Sequence, residues 1–149
     1  MKKLILALVL LASTAVFAHD GGHGPQVTDA PIHGGAVAPA IQASDAKLGR
    51  KANLIYKGEL VRSEDGTVRV YVYTPKMKAL SLSKFEKKGK AVLETKSKKG
   101  WDKKELELTL AGDCFIGALP KGSIRTPYNI DVFVTENGKK LLIAFDNLD

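Results

Sequence analysis

The chain has one cysteine, one tryptophan and three histidines in 149 residues. A lone Cys114 excludes an internal disulfide. It sits in the apolar run GDCFIGAL and reads as a small buried hydrophobe, with a thiolate ligand or an intermolecular bridge as the alternative. No histidine follows His33. A Ser-His-Asp or Cys-His arrangement would therefore need a histidine from the first 33 residues to fold back. No glycine-rich loop opens a helix, so the fingerprints of dinucleotide and P-loop sites are missing. Glu105 and Glu107 alternate with Leu106 and Leu108 and read as the solvated side of one strand. The chain is read as non-enzymatic, with no catalytic residue and no organic cofactor. Beyond the first eighteen residues no apolar run approaches the length that a bilayer core of about 30 Å requires. Stable membrane insertion is not expected. There is no internal repeat and no low-complexity tract.

What is present begins with an export signal. Lys2 and Lys3 precede the unbroken apolar run Leu4 to Leu11, and small residues follow. Val16 and Ala18 occupy the positions that a signal peptidase reads, which predicts a signal over 1–18 and cleavage after Ala18, with Ala15 as the alternative. No cysteine lies near the junction to carry a lipid. A short bacterial-type signal of this kind points to the periplasm. Its removal would leave 131 of the 149 residues, enough for one domain with its own core. The formal charge would fall from +7 to +5 as Lys2 and Lys3 leave. Export argues against nucleic acid as the partner of that charge. The lysine runs in SKFEKKGK and TKSKKGWDKK read as solvated turns, with weak attraction to anionic lipid or cell wall as the alternative.

Residues 19–32 are rich in Gly, Pro and Asp and read as a flexible His/Gly leader; residues 33–149 read as one β domain. Irregular chain is expected as far as about Arg50. Strand patterns then follow one another. Leu54, Tyr56 and Leu60 share a side of the first. Asp65-Gly66 is a strong hairpin turn. Val68, Val70 and Val72 alternate with Arg69, Tyr71 and Tyr73, and Pro75 ends that strand. KMKALSLSKF has no decisive pattern. KAVLETKS, KELELTL, GDCFIGAL, YNIDVFVT and KKLLIAFD complete the set, with Leu106, Leu108 and Leu110 predicted inward, Trp101 in a hairpin turn, and Asn137-Gly138 as a second strong turn. About seven strands and no amphipathic helix of three turns predict an all-β domain. The prediction is an immunoglobulin-like antiparallel β-sandwich, with a small closed barrel as the alternative.

The histidines are the unusual feature. Cleavage after Ala18 would make His19 the first residue, so that its amine and its imidazole could chelate one ion together. An α-amine titrates near ~7.7 and an imidazole near ~6.5 when unperturbed, so both donate around neutral pH. His23 adds a second imidazole, and Gly21, Gly22 and Gly24 let the backbone fold tightly. Such nitrogen donors suit copper(II), with zinc or nickel as alternatives. His33 precedes Gly34-Gly35, which allow the backbone to approach another strand or to expose the imidazole; capping of a loop is its alternative role. His19, His23 and His33 are the candidate metal ligands. A polar leader without ligand function is the competing reading of the first two. Met77 could be a soft ligand or a gap-filler.

HGGAV, KGELVRSEDGTVRVYVYT, ELTLAGDCFIGAL and NIDVFVTENGKKLLIAFD together resemble small exported proteins, and related domains of adaptor proteins, that accompany bacterial heavy-metal efflux systems. The likeness runs from about His33 to Phe145. It implies an immunoglobulin-like sandwich in the periplasm, a metal-related role, an efflux-system or other envelope protein as partner, and His33 as the residue carried over. The polar stretch between Ala36 and Ala52 departs from that pattern. A mature N-terminal histidine is also similar to CopC-type copper-resistance proteins, without their methionine-rich loop or strand histidines. The resulting expectation is a periplasmic protein that binds or handles metal. The alternative is a non-catalytic β-sandwich that binds another envelope protein or glycan through a strand edge or loops.

Overall fold

The computed structural model describes residues 23–121 and 126–149. The expected signal and His19 lie outside them. Among the described residues eight antiparallel strands follow in chain order: β1 Ala36–Gln42, β2 Tyr56–Arg62, β3 Thr67–Tyr73, β4 Lys88–Ser97, β5 Gly100–Ala111, β6 Cys114–Ala118, β7 Tyr128–Glu136 and β8 Lys139–Leu148. A 3-10 segment, Ala43–Lys51, joins β1 to the chain before β2. Among the described residues no helix is long and apolar enough to cross a membrane.

The all-β class agrees with the sequence pattern, but the immunoglobulin-like sandwich does not. The strands form one closed barrel in the order β1-β2-β3-β6-β5-β4-β7-β8. The difference lies in β1, within the stretch expected to be irregular. Its inward residues Ala36, Ala38 and Ala40 are small and give a weak period-two signal, and Pro39 argues against a strand. Yet β1 pairs with β2 from Ala36 to Ala40 and with β8 from Ala40 to Gln42. That double pairing closes the sheet. The Ala40 carbonyl accepts from Ile55 N–H on the β2 side. Its neighbour Pro39 therefore points to the opposite side, where the β8 ladder has only begun and no donor is lost.

Eight strands enclose a space that side chains can fill. Cross-strand neighbours form layers in it. Leu60, Val70 and Phe115 are aligned in register, and Ala40, Ile143, Val132 and Ala91 form another row. All are buried. Leu108 is fully buried, while Leu106 and Leu110 pack on the core at partial burial. The undecided stretch KMKALSLSKF is a loop that covers one end. Its Leu82 and Phe85 are buried, and the Phe85 ring meets Phe115 edge-on at 6.2 Å. At the other end the Arg62 guanidinium lies 5.4 Å over the Tyr128 ring and donates to its hydroxyl.

Part of the wall is buried on its outer face too. Ile41, Leu142 and Ala144 point outward and are covered by Ala52 with Ala43 and Ala46 of the 3-10 segment. This is why Leu141 to Phe145 is a continuous apolar run and not an alternating one.

Leu108→Asp should abolish cooperative unfolding of the barrel, because an unpaired carboxylate would enter a filled interior. Leu106→Asp should cost less, since that side chain reaches partly into solvent. Urea titrations followed by far-UV circular dichroism rank the two. Equal loss would contradict the burial difference.

Candidate functional site

The outer face of β2 and β3 carries the chemistry. Leu60 points inward, so Lys57 and Glu59 point outward. They are nonetheless buried, at 8% and 0% exposure. The cover is the segment before β1. Gly24 packs against Pro39 and Ile41 of β1. Asp29 meets the Lys57 ammonium at 2.5 Å. Residues 32–35 then pass over Glu59. The tail of the stretch expected as a leader therefore makes defined contacts at Gly24, Asp29 and Ile32.

Glu59 receives four hydrogen bonds. Its Oε1 accepts from His33 N–H at 2.7 Å and Gly35 N–H at 3.0 Å; its Oε2 accepts from Ile32 N–H and the Tyr73 hydroxyl, each at 3.1 Å. Burial alone would push this carboxyl up. The backbone donors of Gly35, His33 and Ile32, with the Tyr73 hydroxyl, outweigh it and hold the carboxyl below its usual value. The two glycines make the approach feasible. Gly34 has φ +75°, and a Cβ on Gly35 would stand 2.2 Å from the Leu60 carbonyl oxygen. His-Gly-Gly thus acts here as a backbone clamp on a carboxylate.

The His33 ring stacks on Tyr71 with centroids 3.9 Å apart and planes 8° from parallel. Its Nδ1 lies 2.9 Å from Tyr73 Oη and 3.4 Å from Glu59 Oε2. Burial, then the bond to and charge of Glu59, push the Tyr73 phenol well above its ordinary value. Tyr73 keeps its proton and donates it to Glu59, so its oxygen is left to accept. Neutral His33 must then carry its proton on Nδ1. The lone pair is on Nε2, on a side chain 40% exposed. This order, imidazole N–H to phenol to carboxylate, is how outer partners fix the tautomer of a ligating histidine.

The other candidates lie elsewhere. His23 lines a cleft with Arg50 and Asp146 beside β1 and β8. The His33 ring stacks instead over Tyr71 of β3, with β2 between β3 and β1. The structure thus does not bring His23 and His33 together, and His19 falls outside the described residues. Among the described residues no group of three His, Cys, Asp or Glu side chains could hold one ion. Met77 sits in the turn after β3 with φ +57°. Cys114 is buried at the register position opposite Tyr71; burial and then Asp113 push its thiol up, away from the thiolate form. Glu59, Tyr71 and Tyr73 were not singled out from sequence. The available signal was two large aromatics on the supposed solvent side of β3, which implies that something covers it.

Glu59→Gln should destabilise the fold by about 1.5–3 kcal/mol, because an amide is neutral and presents a donor where N–H groups need an acceptor. Amide exchange at Ile32, His33 and Gly35 should accelerate in the variant. The pH dependence has a definite sign. A carboxyl held low in the folded state stabilises above its unfolded value, and that contribution disappears as pH falls through the folded value. The parent should lose stability on acidification below about pH 4.3, and Glu59→Gln should lose less. Parallel acid titrations would refute the clamp if the two chains weakened equally.

No protein-family model, no curated protein and no solved structure matches the chain.

Proposed function

We propose that the protein is exported, is cut after Ala18, and handles copper(II) in the periplasm beside a heavy-metal efflux system, with zinc or nickel as alternative cargo. The single observation that carries this reading is the chain from His33 through Tyr73 to Glu59. It presets Nε2 as an outward lone pair. An imidazole on a mobile loop would divide its proton between two nitrogens and lose rotational freedom on binding. At His33 the tautomer is chosen and the ring is pinned on Tyr71 before the ion arrives. One preset nitrogen gives a shallow site, which suits hand-over of an ion better than its storage.

The remaining donors would come from outside this cluster. An amine and imidazole at His19, with His23, form the second element of the proposal, in the segment leading to the clamp. In the described arrangement His23 lies beside β1 and β8 and His33 over β2 and β3, in no common ligand group, so the leader chelate and the His33 nitrogen act as two stations. The efflux partner is proposed from the resemblance of the strand and turn pattern.

Calorimetric copper(II) titration of the processed protein tests this. Tyr73→Phe should weaken binding by about 10- to 100-fold while keeping every candidate ligand, as loss of an outer-sphere partner does. His33→Ala should remove the barrel station and leave a leader station that is sensitive to one extra residue before His19. Both should weaken as pH falls through the imidazole range, because protons compete for the nitrogens. If the protein with all three histidines changed to alanine binds copper as well as the parent, the proposal fails.

A further inference from the structure

The β4–β5 hairpin stands apart from the rest of the wall. The last pair that β4 makes with β7 is Thr95 with Tyr128, and β5 pairs with β6 only from Thr109 to Ala111. Among the described residues, 96–101 extend past both neighbours and pair with each other alone, Lys96 with Trp101 and Ser97 with Gly100. The tip carries Lys96, Lys98 and Lys99, all exposed, and β5 continues with Lys103 and Lys104. Asp102 is the one acid between Lys96 and Lys104. Lys103 is held by Glu94 at 2.5 Å; Lys96, Lys98, Lys99 and Lys104 make no ion pair among the described residues. Trp101, the chain's sole tryptophan, is 46% exposed in the middle of this charge.

A solvated turn accounts for the lysines but not for the indole. Leaving so large an apolar ring in water forgoes the stabilisation its burial would give, and a polar residue would serve a solvated turn without that cost. We propose that the β4–β5 tip is a docking element for an anionic phospholipid surface, with Trp101 seated at the headgroup level and Lys96, Lys98 and Lys99 against lipid phosphates. Three observations favour a bilayer over a protein. The tip runs past the last paired residues of its described neighbours, so it can reach a plane ahead of them. Trp101 pairs with Lys96 and has Lys99 and Lys103 beside it, whereas a protein interface needs a clustered apolar core; among the described residues the other exposed large apolar side chains, Ile32 and Leu48, belong to other segments. The mixture of one indole and several ammonium groups matches an interface that is apolar below and negative above.

Because Trp101 is the one tryptophan, its fluorescence reads the tip directly. Vesicles of phosphatidylcholine with phosphatidylglycerol should shift its emission to shorter wavelength and carry the protein down on sedimentation; pure phosphatidylcholine vesicles should do neither. Each lysine neutralised at the tip should lower partitioning by about fivefold, so Lys98→Gln with Lys99→Gln should lower it by about 25-fold, and salt should weaken it further. Trp101→Ala should reduce sedimentation as well. The run Leu4–Leu11, where retained, is common to every variant, so differences report the hairpin. Sedimentation without an emission shift would overturn the proposal, as would variants that partition like the parent. An equal emission shift with polyglutamate would also overturn it and make an acidic protein the occupant. These exposed positions lie outside the core, and matching circular dichroism spectra confirm that each variant is folded.

Discussion

A carboxylate on the outside of a barrel should face water, and Glu59 does not. Its burial would be costly without partners. The chain meets that demand with three consecutive-segment amides and one phenol. Much else depends on this. The segment before β1 must cross β2 in one register for its N–H groups to converge. Tyr73 must be protonated to share the carboxylate. His33 must then present Nδ1 to Tyr73. A structural requirement of the wall thereby dictates the state of a surface imidazole.

The clamp and the closure of the barrel are coupled through β1. Gly35 presses its backbone on Leu60, and Ala36 enters the ladder opposite that same Leu60 in the next step of the chain. Fixing residues 32–35 over Glu59 fixes where β1 begins. Small inward side chains then let β1 lie close to its neighbours while Leu60, Ile143 and Phe145 fill the space. The outer face of the same region is closed by the 3-10 segment, so the seam is buried on both sides.

The sequence made legible what rests on period-two alternation. Val68, Val70 and Val72 are inward, as are Tyr128, Ile130, Val132 and Val134, and the Asp65-Gly66 and Asn137-Gly138 turns join paired strands. Alternation ranks faces within a strand and cannot say how many strands share a sheet, which is why seven strands of a sandwich and eight of a barrel read alike. β1 was hidden because alanine carries little hydrophobic signal and proline argues against a ladder. Of the site, His33 and the use of its glycines to bring backbone against a strand were readable from local sequence. Glu59 was not, since a glutamate between Gly58 and Leu60 looks like the wet side of any strand; its burial is decided by residues 24 to 27 positions away in the chain.

Closure has a kinetic consequence. Ala40 and Ile143 are register neighbours although about a hundred positions separate them, and the seam they form joins two strands with covered outer faces. Hairpins such as β2–β3, β4–β5 and β7–β8 can form from local contacts, but the seam must wait for both distant segments, and contacts of such separation slow folding. Until β8 emerges, β1 has β2 on one edge and no partner on the other. The chain therefore stays open late in its synthesis. For a protein proposed to be threaded through a membrane before it folds, a last step that needs both ends of the barrel delays premature closure on the wrong side.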